Sequence, residues 1–254
     1  MNIIIPMSGI GKRFLEAGYT DPKPLISVEG KPIIQHVVER FDTENDTFIF
    51  VCNAPHLAET PMRSVLERIV KNKTIVSVPQ EKYGPVWATL QASHLIHDDE
   101  AYVVNYCDFS WRWDYEDFKK VMNDTRCDGS VISYKGFHPH LLGPNTYASM
   151  RSSDDHRMLE IREKYSFTPN KMDCYQSSGT YYFSKGSYIK KYFRQLMDKK
   201  IDLNGEYYVS LVYNELKADG LDIFIYEIPY FLQWGTPADL QEYLYWSNYF
   251  LHQR

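Results

Sequence analysis

The sequence predicts an α/β fold: a mostly parallel, Rossmann-like sheet flanked by helices, with an antiparallel substrate-binding extension. Strand-like apolar runs alternate with helix-like spacings through roughly the first 125 residues, which is typical of right-handed βαβ units. After that region the pattern changes to short strand-like segments separated by polar turns. The first apolar run ends in a short loop with two glycines, and open α/β sheets bind ligands at such strand ends.

The elements of the first half follow from hydrophobic periodicity. Short, fully apolar runs indicate strands buried on both faces, and apolar residues spaced by three and four indicate helices. The predicted strands span residues 2–6, 47–52, 74–78 and 101–106. The predicted helices span residues 31–41, 62–71 and 85–96.

The second half predicts four antiparallel strands that cover the carboxyl end of the sheet, followed by helices and a late strand. The four strands span residues 130–136, 146–151, 158–162 and 180–184, and the late strand spans 222–228. The helices span residues 187–199, 206–216 and 237–252. Because no repeat, low-complexity segment or clear linker separates the halves, we expect a single domain over residues 1–254.

Composition and charge restrict the classes of partner. The chain has 33 acidic and 28 basic residues and a formal net charge of −5, which argues against general nucleic-acid binding. No run approaches the ~18 apolar residues of a membrane span, and the first residues lack a signal-peptide pattern. Four scattered cysteines without a C-x-x-C motif predict buried thiols in a reducing cytoplasm rather than zinc ligands or disulfides. We therefore expect a cytoplasmic protein that binds neither nucleic acid nor membranes.

The C-terminal helix is rich in aromatic residues between Tyr243 and Phe250. Aromatic side chains contribute large contact areas both in cores and at subunit interfaces. The segment therefore predicts either a helix-mediated homodimer or ordinary core packing.

The segment after the first strand predicts a phosphate-binding loop. Glycines let backbone N–H groups approach a phosphate closely, and basic side chains neutralise its charge. The loop contains Met7, Ser8, Gly9, Gly11, Lys12 and Arg13. A further cation, Lys23, lies between two prolines that restrict its direction. The loop matches neither the dinucleotide G-x-G-x-x-G pattern nor a Walker A motif, and an ordinary turn is the alternative.

A carboxylate and a second loop follow other strands of the predicted sheet. Asp108 comes just after the fourth strand, at the edge that carries the glycine loop, and Mg²⁺ (or Mn²⁺) prefers one or two carboxylates plus phosphate oxygens. A turn-capping aspartate is the alternative. Gln80 carries the donor and acceptor needed to read a pyrimidine edge, and Gly84 and Pro85 begin the next helix. An ordinary strand–helix loop is the alternative there.

Candidate acceptor-binding residues lie in the second half. Glu163 and Lys164 end a predicted strand, where a carboxylate would accept protons from hydroxyls or amines and the lysine would meet a phosphate. A solvated surface pair is the alternative. The Tyr134–Tyr147 segment, including His138, is expected to shape the acceptor pocket, although a surface turn is an alternative for the His138 region. The Ser177–Thr180 segment reads as a turn before a strand.

Taken together, these positions resemble the sugar-nucleotidyltransferase family, also called nucleotidylyltransferases or sugar-nucleotide pyrophosphorylases. The family's N-terminal G-x-G-x-R…P-K-P-L…G-K-P signature is matched by Gly9, Gly11, Arg13, Pro22, Lys23, Pro24, Leu25, Gly30, Lys31 and Pro32. Its later motifs are matched by Gln80, Gly84, Ala88, Asp108, Glu163, Lys164, Gly179 and Glu206.

The resemblance implies condensation of an NTP with a small phosphorylated acceptor, giving an NDP-acceptor and pyrophosphate, with Mg²⁺ as cofactor. The implied catalytic residues are Arg13, Lys23, Asp108 and Lys164, and the implied acceptor-binding residues include Glu163, Gly179 and Glu206. On this basis residues 1–125 form an NTP-binding half and residues 126–254 an acceptor-binding half.

The chain also resembles small family members from bacterial capsule gene clusters, among them cytidylyltransferases that activate phosphorylated non-sugar substrates. CTP is therefore the expected nucleotide, in capsule or surface polysaccharide biosynthesis. The alternatives are a sugar-1-phosphate uridylyl- or thymidylyltransferase, a glycosyltransferase that consumes a nucleotide sugar, and a non-catalytic nucleotide-binding regulator.

One departure from the family concerns the metal. Many members carry an Asp-x-Gly-Thr segment whose aspartate is a second ligand, and here Gln233 or Trp234 takes that place. The second ligand is left open between Glu206 and phosphate oxygens alone.

Overall fold

The computed structural model describes residues 1–251. The first half contains seven strands and six helices: β1 (Asn2–Met7), α1 (Lys12–Glu16), β2 (Ser27–Val28), β3 (Lys31–Pro32), α2 (Ile33–Val38), β4 (Thr47–Asn53), α3 (Ala54–Glu59), α4 (Met62–Ile69), β5 (Asn72–Val78), α5 (Gly84–Gln91), β6 (Tyr102–Asn105), β7 (Phe109–Arg112) and α6 (Tyr115–Thr125).

The described part of the second half contains six strands and three helices: β8 (Gly129–Tyr134), β9 (Ser149–Ser152), β10 (Met158–Arg162), β11 (Tyr175–Phe183), α7 (Gly186–Asp198), α8 (Val209–Ala218), β12 (Ile223–Glu227), β13 (Tyr230–Gln233) and α9 (Pro237–Leu251). The predicted end of the last helix, at residue 252, lies outside the described residues.

Among residues 1–251, nine strands form one sheet to which both halves contribute. Four of them, in the order β6-β1-β4-β5, are parallel, as expected from the alternating first half. β11 then pairs antiparallel with β6 and β8, and β12 pairs parallel with β8. The predicted mixed α/β architecture is confirmed.

The antiparallel strands only partly match the expected position over the carboxyl end of the sheet. β8 and the second half of β11 continue the sheet sideways from β6, because β11 residues 180–183 pair with β6 residues 105–102. The start of β11 extends beyond the carboxyl end of β6 and pairs there with β9. β9 and β10 therefore lie past the end of β6, together with the start of β11 and the end of β8 that pairs with it.

The core has two layers, one on each face of the sheet. Ile3 and Ile5 of β1 pack into one cluster and Ile4 into the other, and none of the three is exposed to solvent. Burial on both faces explains why β1 is apolar throughout rather than alternating. Three of the four cysteines are buried free thiols, as predicted, whereas Cys107 is a free thiol that is only half-buried.

Several short elements carry too little periodicity to be predicted. α1 and α3 have five and six residues, fewer than two helical turns. β7 and β13 form a separate two-stranded sheet of four-residue strands. α6 has a recognisable signal that the prediction missed, because the Asp114 carboxylate accepts a hydrogen bond from the backbone N–H of Asp117 at the helix start.

The described helices include none that is both sufficiently long and sufficiently apolar to cross a membrane. On α9, the side chains of Tyr245, Trp246, Tyr249 and Phe250 are exposed. Their role in a homodimer stays a prediction.

Candidate active site

A cavity of about 580 Å³ lies at the carboxyl end of β1 and β6, between the two halves of the chain. One wall comes from the glycine loop, Lys23 and the start of α5. The opposite wall comes from residues 146–148, Glu163, Lys164 and the bulge of β11. The end of β13 and the residues after it complete the lining. The two walls therefore place predicted nucleotide-binding and acceptor-binding residues around one space.

The glycine loop is held in place by a neighbouring strand. Gly11 adopts a left-handed conformation with φ of 69°, which starts α1 immediately after the loop. The side-chain amide of Asn53, at the end of β4, donates a hydrogen bond of 3.0 Å to the Ser8 carbonyl. Phe14 is buried beneath the loop, whereas the Lys12 and Arg13 side chains are exposed. Two cations therefore lie at the start of α1, directly after a loop whose backbone is held by β4.

Lys23 connects the glycine-loop wall to Asp108. Its ammonium donates a hydrogen bond of 2.7 Å to Asp108 Oδ2 and one of 2.8 Å to the Gly235 carbonyl. It also lies 5.3 Å from the centre of the Phe14 ring, within the range of a cation–π contact. A single 3₁₀ turn from Lys23 to Leu25 sets the direction of the side chain. The lysine and aspartate singled out in the sequence thus form an ion pair at the cavity.

The surroundings of Asp108 decide whether a divalent cation fits there. The Gln233 side chain is 8% exposed, and its Oε1 is buried with no hydrogen-bond partner among residues 1–251. A Cβ added at Gly235 would come within 3.3 Å of Asp108 Oδ2 and 2.6 Å of Gln233 Nε2, so the absent side chain leaves space between them. One carboxylate and this space suit Mg²⁺ once phosphate oxygens supply further ligands. The described residues contain no cluster of three or more His, Cys, Asp or Glu side chains that could hold a metal alone.

The acceptor wall contains a carboxyl group with an altered pKa. Burial raises the pKa of Glu163 to about 7, while the Ser210 hydroxyl donates a hydrogen bond to the carboxylate. Lys164 adopts a left-handed backbone with φ of 51°, and its backbone N–H donates a hydrogen bond of 3.0 Å to the Tyr147 carbonyl. Its ammonium is 5.8 Å from the centre of the Tyr208 ring. Both residues line the cavity, with Glu163 half-buried and Lys164 exposed.

Gly179 lies inside β11, where a bulge replaces the predicted turn. The register of β11 against β8 shifts between Ser177 and Thr180, and Gly179 has φ of 84°. Its carbonyl accepts a hydrogen bond of 3.0 Å from the Tyr106 N–H, and an added Cβ would meet the Phe109 ring at 2.6 Å. Glycine is therefore required both by the backbone conformation and by the close approach of the ring.

The start of α5 contacts the segment before α8. Tyr207 N–H donates a hydrogen bond of 2.9 Å to the Tyr83 carbonyl, and Val86 N–H donates one of 3.2 Å to the Tyr207 carbonyl. A Cβ at Gly84, which has φ of 84°, would lie 3.0 Å from the Tyr207 backbone. Glu206 accepts a hydrogen bond of 2.6 Å from the Tyr208 hydroxyl at the cavity margin. This backbone bridge fixes the separation of the two walls.

Most of the predicted site residues line the cavity. They are Met7, Ser8, Gly9, Gly11, Lys12, Arg13, Lys23, Gly84, Pro85, Asp108, Glu163, Lys164, Gly179 and Glu206.

Three predicted residues are not brought to the cavity. Gln80 is exposed and lies outside the lining, although Glu81 and Lys82 of the same loop line the cavity. Tyr134 is fully buried and stacks on Phe231 with ring centres 4.5 Å apart. His138 is buried beside them, 4.6 Å from the Tyr134 ring centre. Direct contact of Tyr134 and His138 with an acceptor is therefore corrected to a supporting position behind the wall, since both side chains belong to this packed aromatic cluster.

The structure also shows cavity residues that had no assigned role. Tyr147 and Thr146 line the acceptor wall, with Gln233, Gly235 and Thr236 beside Asp108. Tyr147 lies within the segment expected to shape the pocket, and Gln233 was marked by the departure from the family motif. Gly235 and Thr236 belong to that same motif. Nothing in the sequence indicated that this motif lies close to Asp108 in space.

Comparisons with known proteins identify the family of this chain. Residues 3–166 match the model of the MobA-like NTP transferase domain. The bifunctional protein GlmU of Methanocaldococcus jannaschii is 25% identical over 207 residues, covering 81% of this chain and 44% of that protein. The chain thus spans less than half the length of this curated relative.

Solved structures show the same fold. A nucleoside-diphosphate-sugar pyrophosphorylase from Vibrio cholerae superimposes with a TM-score of 0.77 at 21% identity, covering 96% of this chain and 99% of that chain. The inositol-1-phosphate CTP transferase from T. maritima superimposes with a TM-score of 0.71 at 14% identity, covering 96% and 94%. The resemblance noted in the sequence is confirmed, and by the match over residues 3–166 the chain belongs to the family of MobA-like NTP transferase domains.

Proposed function

We propose that this protein is a nucleotidyltransferase that condenses an NTP with a small phosphorylated acceptor, releasing pyrophosphate. The Lys23–Asp108 ion pair carries the proposal, because it joins the glycine loop to the carboxylate at the edge of the sheet. The opposite wall presents Glu163 and Lys164 across the same cavity. Such a site holds two phosphate-bearing substrates together, which is the requirement of a direct transfer.

The proposed reaction uses no covalent enzyme nucleophile. A phosphate oxygen of the acceptor attacks the α-phosphorus of the NTP, so one P–O bond forms while the bond to pyrophosphate breaks in line. Negative charge accumulates on the transferring group and on the departing pyrophosphate. Arg13 would hold the pyrophosphate, while Lys23 and Lys164 would contact the phosphates at the reacting centre. The chain's contribution is therefore positioning and charge neutralisation.

Asp108 would hold the divalent cation. When bound, Mg²⁺ would neutralise phosphate oxygens and make the α-phosphorus a better electrophile. The Asp108 carboxylate must exchange its contact with Lys23 for such a cation, and the triphosphate offers Lys23 alternative oxygens. Glu163 would accept hydrogen bonds from hydroxyl or amine groups of the acceptor.

CTP is the proposed nucleotide and capsule or surface polysaccharide biosynthesis the proposed context. The sequence resemblance to capsule-cluster cytidylyltransferases supports both, and phosphoglutamine is the favoured acceptor on the same basis. The T. maritima neighbour is named as a CTP transferase acting on inositol 1-phosphate, so the fold accommodates CTP in that protein. Uridylyl or thymidylyl transfer to a sugar 1-phosphate uses the same cavity chemistry.

Pyrophosphate release by the purified protein with Mg²⁺ tests the proposal. CTP, UTP, dTTP, ATP and GTP are each combined with glucose 1-phosphate, phosphocholine and phosphoglutamine. We expect release that requires an acceptor and is fastest with CTP. Acceptor-dependent release with UTP or dTTP would instead establish the uridylyl or thymidylyl alternative. NTP binding without turnover on an extended acceptor panel would support a nucleotide-binding regulator.

A further inference from the structure

The C-terminal helix α9 presents an aromatic face to solvent, formed by Tyr245, Trp246, Tyr249 and Phe250. Since each residue of an α-helix advances by about 100°, these four positions lie within about 140° of one another around the helix. They are 67%, 47%, 49% and 62% exposed, respectively. Packing against the core of the same chain therefore does not account for them, and a contiguous exposed apolar patch of this kind marks an interaction surface.

The remaining sides of α9 are fixed on the body of the protein. Leu240 is fully buried. The Tyr243 hydroxyl donates a hydrogen bond of 2.9 Å to Glu29 Oε1, and the Ser247 hydroxyl donates another to the same oxygen. The Tyr243 ring also meets Trp234 edge-on, with ring centres 5.2 Å apart. The helix therefore cannot turn the aromatic face inward without breaking these contacts.

The rings of the aromatic face already contact one another. Trp246 stacks on Phe250, with ring centres 6.1 Å apart and planes inclined by 26°. Tyr245 meets Trp246 edge-on at 5.6 Å, and Tyr249 meets Phe250 edge-on at 5.4 Å. Ordering of side chains is part of the cost of association, and aromatic rings, with only two rotatable bonds, lose little freedom when a partner binds. The face is therefore preorganised for association.

We propose that the aromatic face of α9 binds the same face of a second copy of this chain, forming a two-fold symmetric homodimer. A buried aromatic side chain contributes roughly 200 Å², so the exposed fractions leave on the order of 500 Å² per copy and 1,000 Å² for a pair. About 1,000 Å² is the lower end for a specific interface, whereas crystal contacts mostly bury less than about 800 Å². A two-fold axis brings identical surfaces together, and four uncharged rings are compatible with their own copies.

The charges of α9 favour a second copy over a lipid surface. Between residues 237 and 251 the helix contains two acidic residues, Asp239 and Glu242, and no Lys or Arg. Helices that lie in a membrane interface carry Lys and Arg on their polar face, which anionic headgroups attract. The acidic charge of α9 would instead be repelled by such headgroups.

Glu242 also selects the relative direction of the two helices. It is exposed and lies one turn before Trp246 on the side of the aromatic face. In a parallel pair the two Glu242 carboxylates would meet and repel each other. In an antiparallel pair centred on Trp246 they lie about 12 Å apart along the axis, at opposite ends of the interface, where water and salt screen them. The expected dimer is therefore antiparallel.

Sedimentation velocity of the purified protein from about 1 to 100 µM tests the proposal. We expect the wild type to form dimers in this range, and Trp246→Glu and Phe250→Glu each to weaken dimerisation by at least about tenfold, because each places an unpaired charge in an apolar contact. Phe137→Glu is the matched control, since it makes the same kind of change at a 68% exposed aromatic residue outside α9. It should dimerise like the wild type.

Two outcomes would overturn the proposal: a wild type that stays monomeric at about 100 µM, and a dimer that persists unchanged in both α9 variants. Co-sedimentation of a monomeric wild type with phosphatidylcholine vesicles would assign the face to a lipid surface instead. Circular dichroism confirms that the variants are folded. None of the four aromatic residues lines the cavity, so dimerisation is measured without reference to the proposed nucleotidyl transfer.

Discussion

The two walls of the cavity are built in different ways. The phosphate wall comes mainly from one continuous stretch, residues 6–24, in which a strand, a glycine loop, a short helix and a 3₁₀ turn follow each other. The acceptor wall gathers the short segments before β9 and after β10, the bulge of β11 and the segment before α8. Local sequence therefore determines the first wall, whereas tertiary packing determines the second. Substitutions in the phosphate wall should therefore change mainly the reaction rate. Substitutions in the acceptor wall should change mainly the stability of the protein or its affinity for the acceptor.

The largest effect is expected at the phosphate wall. Lys23→Ala and Asp108→Asn should each lower kcat by ~10²-fold or more, the scale of losing one electrostatic contact to a transition state. Lys120→Ala and Asp99→Asn are matched controls, because both positions are exposed and lie outside the cavity lining. Steady-state pyrophosphate release measures the change. Near-normal rates in folded Lys23→Ala and Asp108→Asn would contradict the prediction that substitutions in the phosphate wall act mainly on the reaction rate.

At the acceptor wall, Gly179→Ala should act first on stability. The left-handed φ costs an alanine about 1–2 kcal/mol, and the 2.6 Å approach to the Phe109 ring adds about 1–3 kcal/mol of overpacking. Gly220→Ala is the matched control, since Gly220 has φ of 81° and no atom within 4 Å of an added Cβ. Urea unfolding should show the larger loss for Gly179→Ala. Equal losses would mean that the ring approach contributes nothing.

Glu163 gives the acceptor wall a dependence on pH. Its pKa is raised from 4.5 to about 7, so the folded state binds more protons than the unfolded state between these values. This group therefore lowers the free energy of unfolding as the pH rises from about 4.5 to 7, and Glu163→Gln should remove that slope. The KM for the acceptor should rise below about pH 7 in the wild type as the carboxylate is protonated, and stay flat in the variant. A KM profile identical in both proteins would exclude Glu163 from acceptor binding.

The smallest effect is expected at Gln80. Its side chain is exposed and lies outside the cavity, so Gln80→Ala should change NTP affinity by no more than about twofold, the usual scale for a surface substitution. Calorimetric titration with CTP measures this. A loss above about tenfold would mean that the loop moves onto the bound base, in agreement with the role suggested by the sequence motif.

The difference between the two walls also explains which parts of the site could be predicted from the sequence. Lys23 and Asp108 could be placed together because the carboxyl ends of parallel strands share one edge, and the ion pair has the short distance this implies. Tyr134 and His138 were misplaced because their segment leads into the site without indicating which side chains face it. The positions of Gln233 and Gly235 depend on β13 pairing with β7, two strands of four residues that are more than one hundred residues apart and show no distinctive alternation.

The contact between Lys23 and Gly235 has a consequence for the order in which the protein gains secondary structure and nucleotide affinity during folding. The hydrogen bond from Lys23 to the Gly235 carbonyl joins residues separated by 212 positions, so it closes one of the longest loops in the chain. Contacts of such high separation in sequence form slowly, since the entropy of loop closure precedes any gain from the contact. In a refolding experiment, far-ultraviolet circular dichroism should therefore recover before nucleotide affinity does. A chain released from the ribosome before residue 235 would contain the complete glycine loop, yet Lys23 would lack one of the two acceptors that fix its ammonium.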